Sequence, residues 1–197
     1  MRIVVLGSGG LAKEYALWAM DCGITIDAFV NDMGVELLEL CGREYPVIGF
    51  EGEAMFIVGV GKPENKAIMI GKALEAGWYP HPPIVHPTAI CRSPLPVGVV
   101  VAPGCIITCD VVIGRYSTFN LNTTVGHDAY IGEYCTTNPG AQVSGNVRMG
   151  DYCEIGTGAI IRDGVTMPDR VRVGAQSAVV KTLFDAGTYV GVPAKVL

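Results

Sequence analysis

Charge is scarce in this 197-residue sequence, and basic charge is scarcest. Only 17% of the residues are charged, with 14 Lys and Arg against 19 Asp and Glu, which gives a formal net charge of −5 at pH 7. Lys and Arg form no cluster, so the chain lacks the basic patch that binds the phosphates of nucleic acid. We therefore expect no nucleic acid among its partners.

Long apolar runs are also missing, although half of the residues are hydrophobic. Gly, Pro or a charged residue interrupts every run before it reaches the ~18 residues that a membrane-spanning helix needs. The first run, from Ile3 to Leu6, is too short for the apolar part of a signal peptide. We therefore expect neither a membrane span nor a secretion signal.

The seven cysteines have neither the even number nor the spacing of a disulfide framework. An odd set of free thiols is typical of a reducing compartment, so we expect a cytoplasmic protein. No CxxC or Cys/His pattern is present, so we expect no metal site.

A six-residue repeat, by contrast, runs without interruption from Val101 to Val179. A repeat this short can bury a core only when its copies stack, and a strict hexad predicts a parallel β-helix. Small or slim residues stand four places after the apolar position, as at Cys105, Ala129 and Cys153. Thirteen of fourteen residues at the apolar position are large: Val101, Ile107, Ile113, Phe119, Val125, Ile131, Thr137 (the exception), Val143, Met149, Ile155, Ile161, Met167, Val173 and Val179.

Three hexads per coil would stack residues that are 18 apart. Gly114, Gly132 and Gly150 would then share a corner, where we expect the turn to need a bare backbone. Cys135 and Cys153 would stack inside the coil, as small buried apolar residues rather than metal ligands.

The first 80 residues follow a different pattern. Apolar strands at residues 2–6, 26–30 and 55–60 alternate with helical stretches at 11–22 and 64–75, which predicts a small parallel α/β sheet. Gly7, Gly9 and Ala12 fit the G-x-G-x-x-A turn, whose backbone N–H groups hold a phosphate. Asp32 follows where an acidic residue can bind a ribose hydroxyl. A strand–helix turn whose glycines serve only tight packing is the alternative.

Proline-rich residues 77–86 separate the two patterns, and the first coil begins near Ile84. We therefore predict two domains, an α/β Rossmann-like module at 1–80 and a solenoid with a C-terminal tail at 84–197. About 80 residues hardly hold both halves of a dinucleotide-binding fold, so a mononucleotide diphosphate is the favoured ligand.

Of the three histidines, the solenoid offers only His127 and, at its margin, His86, which are too few for the three-histidine zinc site of β-helix carbonic anhydrases. His81 and His86 lie near the linker and are expected to be exposed loop residues. His127 lies in the repeat at an outward position, next to Asp128, where polar residues interrupt the regular hexads. A histidine there is a candidate general base, with a solvated surface residue as the alternative.

The sequence resembles a known family over nearly its whole length. Hexapeptide repeats, the Gly126, His127 and Asp128 motif and the C-terminal segment 191–195 (GVPAK) resemble the acetyl-CoA-dependent acyltransferases with a left-handed β-helix. The α/β module in front is similar to the sugar acetyltransferases of the bacillosamine pathway and to the sialic-acid O-acetyltransferases. The resemblance implies a homotrimer with active sites between neighbouring solenoids and acetyl-CoA along the β-helix.

Position by position, the resemblance makes His127 the base and Asp128 the residue that raises its basicity. It places the nucleotide-sugar pocket at Gly9, Gly10, Asn31, Asp32 and Gly61. It implies acetyl-CoA contacts at Thr136, Thr157 and Ala175. Three departures from the family pattern are Leu11 for a histidine after the Gly-Gly turn, Thr136 for a second solenoid histidine, and Lys62-Pro63 for an Asn-rich turn.

The resemblance implies an N-acetyltransferase that acts on the amino group of a UDP-linked 4-amino-4,6-dideoxy sugar. One alternative is an O-acetyltransferase of sialic acid or a related sugar, in which a hydroxyl attacks instead of an amine. A second alternative is a trimer that binds a nucleotide-sugar without catalysis.

Overall fold

The computed structural model describes residues 1–31 and 37–197. The N-terminal part is one six-stranded sheet with two helices, and neither helix in the described chain is long and apolar enough to cross a membrane. Its elements are β1 (Arg2–Leu6), α1 (Gly10–Asp21), β2 (Ala28–Val30), β3 (Leu37–Leu40), β4 (Arg43–Ile48), β5 (Ala54–Val58), α2 (Pro63–Glu75) and β6 (Tyr79–Pro80).

The sheet has the order β3-β4-β2-β1-β5-β6 and is parallel except for the β3–β4 pair. The three strands and two helices expected from the sequence are present. The β3–β4 hairpin was missed, because Cys41 and Gly42 form its turn with φ of +50° and +74°, and Cys is not one of the usual turn residues there. With only two helices the sheet is smaller than a complete dinucleotide-binding fold, and its Rossmann-like character stays a prediction.

The solenoid consists of short strands whose partners are 18 residues apart, as between Thr118 and Thr136. Three hexads therefore make one coil, as predicted. Its strands are β7 (Ile84–Val85), β8 (Ile90–Cys91), β9 (Val100–Val101), β10 (Ile106–Ile107), β11 (Val112–Ile113), β12 (Thr118–Phe119), β13 (Thr124–Val125), β14 (Tyr130–Ile131), β15 (Thr136–Thr137), β16 (Gln142–Val143), β17 (Arg148–Met149), β18 (Glu154–Ile155), β19 (Ile160–Ile161), β20 (Thr166–Met167), β21 (Val171–Val173), β22 (Ala178–Val179), β23 (Gly187–Val190) and β24 (Lys195–Val196).

These strands form the three faces of a left-handed β-helix. The covered face consists of β7, β9, β12, β15, β18, β21, β23 and β24; the long open face of β8, β10, β13, β16, β19 and β22; and the short open face of β11, β14, β17 and β20. On the covered face the outward residues Val100, Thr118 and Thr136 are buried. Ile106 on the long open face and Val112 on the short open face remain exposed.

Both inward stripes of the hexad are buried, from Val101 to Val179, which confirms the predicted core. Ile113, the most exposed member of the apolar stripe, is only 7% exposed. Cys105, Cys135 and Cys153 are buried free thiols inside the coils, as expected for small apolar residues. Stacking alone therefore closes the core of this solenoid.

The corner glycines are needed for a different reason from the one expected. The left-handed backbone occurs at every sixth residue from Gly98 to Gln176, and Gly114, Gly132 and Gly150 stand two places earlier, without positive φ. A methyl group on Gly132 would lie 2.6 Å from the carbonyl carbon and oxygen of Gly150 in the next coil. These glycines permit close stacking of coils rather than the turn itself.

Three tyrosines occupy left-handed positions at the corner between the short open face and the covered face. Tyr116, Tyr134 and Tyr152 have φ near +60°, a conformation that costs an ordinary residue about 1–2 kcal/mol. The ring centroids of Tyr116 and Tyr134 are 5.2 Å apart, and those of Tyr134 and Tyr152 are 4.9 Å apart. The Arg170 guanidinium lies 4.7 Å from the Tyr152 ring centroid. Such contacts contribute about 0.5–1.5 kcal/mol per aromatic pair and so offset part of the strain.

Replacing Gly132 by Ala is expected to destabilise the fold by about 1–3 kcal/mol, the usual cost of an added methyl group in a packed site. The new Cβ meets backbone, which cannot rotate away. Urea unfolding measures the change. Gly71→Ala is the control, because its Cβ meets nothing within 4 Å on helix α2, and equal stabilities of the two variants would contradict the close-stacking explanation.

Candidate active site

One cleft of about 800 Å³ lies at the carboxyl ends of β1, β2 and β5. Ligands of open parallel sheets bind at this edge. The cleft contains four of the five residues predicted for the nucleotide-sugar pocket, and its lining is Gly7, Ser8, Gly9, Gly10, Leu11, Asn31, Gly59, Val60, Gly61, Lys62, Asn65, Ile68 and Met69. The fifth predicted residue, Asp32, lies outside the described residues.

The N-termini of both helices face this cleft. Gly9 is the N-cap of α1 and Lys62 is the N-cap of α2, and neither has a side-chain cap. A Cβ on Gly9 or Gly10 would meet nothing within 4 Å, so both glycines border open space. Free N–H groups at two helix N-termini, with the positive ends of two helix dipoles, make the cleft suitable for an anion such as a diphosphate.

The cleft is lined by both polar and apolar side chains. Asn31 Nδ2 donates to Ser8 Oγ at 2.6 Å, which holds the amide at the end of β2. Ile68 is 58% exposed although apolar, and it lies with Met69 on the wall formed by α2. The cleft thus offers N–H groups for phosphate and an apolar wall for a planar base.

His127 lies on the solenoid, at the corner between the long and short open faces. Its Nδ1 pairs with Asp128 Oδ2 at 2.8 Å, and each side chain is 58% exposed. When Nδ1–H donates to the carboxylate, Nε2 is left as the proton acceptor. Asp128 occupies a left-handed turn position with φ +59°. The outward, polar placement expected for His127 is present.

Residues of the next two coils lie close to the His127 imidazole. A Cβ on Gly145 would lie 2.8 Å from both Cε1 and Nε2 of His127 and 3.1 Å from Asp163 Oδ2. Asn146 Nδ2 donates to the same Asp163 oxygen at 3.2 Å. The missing side chain of Gly145 therefore leaves room for the ring at this corner. Gly145, Asn146 and Asp163 were not singled out from the sequence, although all three lie 18 or 36 residues after the His127 and Asp128 positions.

Thr157 and Ala175 are exposed and lie on another corner, between the covered face and the long open face. They stack on adjacent coils, since Gln176 N donates to Thr157 O at 2.8 Å. His127 and Thr157 thus lie on two different corners of the solenoid, and neither lines the cleft.

Comparison with known proteins gives one family and several solved structures. The model of the bacterial transferase hexapeptide family (six repeats) matches residues 128–163. No curated protein matches the sequence significantly.

Several solved structures match the whole chain. PerB from Caulobacter crescentus, in complex with CoA and GDP-perosamine, has 29% identity and a TM-score of 0.90, over 100% of this chain and 97% of that one. A mutant of perosamine N-acetyltransferase from the same organism, with the same two ligands, has the same identity and coverage and a TM-score of 0.91. The acetyltransferase domain of PglB from Neisseria gonorrhoeae, in complex with acetyl coenzyme A, has 29% identity and a TM-score of 0.88 over 100% and 98%. WeeI from Acinetobacter baumannii has 25% identity and a TM-score of 0.90 over the full length of both chains. The chain is an acyltransferase whose solenoid contains hexapeptide repeats.

Thr136, expected at the cofactor, is buried in this acyltransferase. It is 1% exposed, its hydroxyl donates to Gly61 O at 2.6 Å, and it accepts from Lys66 Nζ at 2.8 Å. Its side chain therefore lies between the α/β sheet and the solenoid rather than on a surface open to acetyl-CoA. Thr157 and Ala175 remain available to a ligand.

His86 was expected on the surface, but in the acyltransferase it is 8% exposed. Its Nδ1 pairs with Thr88 Oγ1 at 2.8 Å and its Nε2 with Asp21 Oδ2 at 3.2 Å. The expectation was wrong because the C-terminal end of α1 packs against the first coil. His86 therefore links the C-terminal end of α1 to the solenoid through its contact with Asp21.

Residues 1–31 and 37–197 contain no group of three or more His, Cys, Asp or Glu side chains arranged for a metal ion.

Proposed function

We propose that the protein is an N-acetyltransferase that transfers the acetyl group of acetyl-CoA to the amino group of a nucleotide-linked amino sugar. The observation that carries the proposal is the combination of an anion-binding cleft on the α/β sheet with an exposed His127–Asp128 pair on the solenoid. The solved structures support it, because PerB was crystallised with CoA and GDP-perosamine and the PglB domain with acetyl-CoA.

His127 acts as the general base. Asp128 accepts the Nδ1 proton and holds the ring, so Nε2 removes a proton from the amine as the amine nitrogen attacks the thioester carbonyl. His127 then returns that proton to the departing CoA sulfur as the tetrahedral intermediate collapses. The products are the acetamido sugar and CoA, so every proton and bond is accounted for.

The α/β module, residues 1–80, acts as a Rossmann-like binding unit for the nucleotide. The diphosphate lies at Gly9, Gly10 and the N-terminus of α2, and Asn31, Asp32 and Gly61 complete the pocket. The solenoid, residues 84–197, holds acetyl-CoA through Thr157 and Ala175. A UDP-linked 4-amino-4,6-dideoxy sugar is the proposed substrate, and the protein acts in the cytoplasm, where its seven thiols stay reduced.

A homotrimer supplies complete sites. The His127 corner is the one that does not border the covered face, on which the α/β sheet lies. A neighbouring solenoid can bring its own His127 or Thr157 corner to the cleft. The exposed apolar residues Ile106, Val112 and Ile160 on the open faces support such packing.

The test is CoA release from acetyl-CoA with a panel of UDP-, GDP- and CMP-linked amino sugars and their hydroxyl analogues. Turnover with an amino sugar alone supports the N-acetyltransferase and identifies the nucleotide. Turnover with sialic acid or another hydroxyl acceptor would favour the O-acetyltransferase alternative, and nucleotide-sugar binding without CoA release would favour the non-catalytic trimer.

Gly145→Ala is expected to lower kcat by about tenfold, although it leaves His127 and Asp128 themselves in place. The new Cβ would lie 2.8 Å from the His127 ring, so the ring must turn away from the position in which Asp128 holds it, and small misplacement of a catalytic group is costly. Steady-state kinetics measure the effect. Gly71→Ala is the control, and a Gly145→Ala enzyme with wild-type kcat would mean that the observed ring position is not the catalytic one.

A further inference from the structure

Helix α2 contributes a lysine that is completely buried. Lys66 is 0% exposed, which is rare for lysine. Its three N–H groups are shared among four oxygens on two coils of the covered face, all within hydrogen-bond distance of Nζ: Tyr116 O at 3.1 Å, Thr118 Oγ1 at 3.1 Å, Cys135 O at 3.0 Å and Thr136 Oγ1 at 2.8 Å. All four acceptors are uncharged, so the ammonium is solvated by the protein rather than neutralised by a partner.

One of these acceptors, Thr136, also forms a hydrogen bond to a residue that lines the cleft. Thr136 accepts from Lys66, and its own hydroxyl proton points to Gly61 O at 2.6 Å. An ammonium can only donate, so it fixes the direction of the Thr136 hydroxyl and strengthens the bond to Gly61. Gly61 lies in the loop Gly59 to Lys62 that forms one wall of the cleft. A continuous chain of hydrogen bonds thus joins the solenoid to that wall.

A purely structural role explains this arrangement poorly. Burial lowers the pKa of Lys66 to about 7, because desolvation penalises the ammonium. The four oxygens act in the opposite direction, and the titratable groups nearby, Cys135 and Glu154, also favour the charged form. An apolar side chain of similar length would fill the space without the cost of burying an ammonium group.

We propose that Lys66 is a positioning residue which, through Thr136, holds the Gly59–Lys62 wall of the nucleotide-sugar pocket in its binding geometry. This inference rests on the proposed function of the cleft. It gives the buried Thr136 hydroxyl a role at the pocket. It also assigns a role to a lysine whose charge the proposed reaction does not otherwise use.

The test compares Lys66→Met, Thr136→Val and Thr136→Ser. Lys66→Met and Thr136→Val remove one link each, and we expect KM for the nucleotide-sugar to rise about tenfold or more, the value of a hydrogen bond to a charged group. KM for acetyl-CoA and kcat should change little. Thr136→Ser keeps the hydroxyl, so it should retain a KM close to that of the wild type.

Stability separates positioning from simple structural support. Lys66→Met should unfold at a urea concentration no lower than that of the wild type. Because the folded-state pKa of about 7 lies below the ordinary value of 10.5, the unfolded chain binds more protons between these values. The cost of Lys66 is therefore complete below pH 7 and falls as the pH rises, so any gain in Lys66→Met should be largest in acid.

Hydrogen exchange gives a readout that needs no turnover. Amides of residues 59–62 should lose protection in Lys66→Met and Thr136→Val but not in Thr136→Ser. If the wild-type protein acetylates no nucleotide-sugar, the proposed function fails while exchange still tests the link. An unchanged nucleotide-sugar KM in both Lys66→Met and Thr136→Val, or unchanged protection in both, would overturn the inference.

Discussion

His127→Ala is expected to lower kcat by about 100- to 10,000-fold, the usual contribution of general acid–base catalysis. The side chain is 58% exposed and contacts Asp128 rather than the core, so the variant should fold, assemble and melt like the wild type. Steady-state assays of CoA release at saturating acetyl-CoA and nucleotide-sugar measure the decrease in kcat.

The matched control is His81→Ala, because the imidazole of His81 pairs with the neighbouring Pro82 O, at 2.8 Å, within the linker. Asp128→Asn gives a second comparison. It keeps the shape of the acidic partner but removes the charge that stabilises the protonated ring, so kcat should fall by less than in His127→Ala. Wild-type turnover in His127→Ala would show that another group, or the solvent, accepts the proton.

The repeat made the solenoid predictable, since each hexad position has the same environment in every coil. Ile131 and Cys135 are buried for the same reason as Ile155 and Cys153, and a regular pattern in the sequence reports that directly. The turn was harder to predict. Left-handed positions hold Asp110, Tyr116, Asn122 and Gln176 as well as glycine, so no single residue type identifies them.

The docking of the α/β sheet on the solenoid was not predictable from periodicity. Lys66 on α2 and His86 on the first coil are polar residues in polar-looking segments, and a solvent-exposed position is the ordinary expectation for both. They are buried because two units with separate patterns pack against each other. The glycine turn and the His127 motif of the site could be predicted from the sequence, whereas the roles of Gly145 and of the N-terminus of α2 depend on contacts between distant parts of the chain.

Gly9→Val should raise KM for the nucleotide-sugar strongly, by about 100-fold or more, and leave KM for acetyl-CoA nearly unchanged. Gly9 has φ of −80° and ψ of −177°, an extended conformation that valine adopts easily. A Cβ there meets nothing within 4 Å, so the new side chain enters the cleft without disturbing the fold. It blocks the close approach of a phosphate to the N-terminus of α1.

Gly9→Ala and Gly71→Val control this experiment. Gly9→Ala adds a single methyl group at the same place and should give a smaller rise in the same KM, whereas Gly71→Val changes a glycine of α2 that does not line the cleft. Because Gly9 and His127 lie in different parts of the chain, Gly9→Val should leave kcat near the wild-type value once the nucleotide-sugar is saturating. An equal loss for both substrates, or a loss for acetyl-CoA alone, would mean that the cleft on the α/β sheet does not bind the nucleotide-sugar.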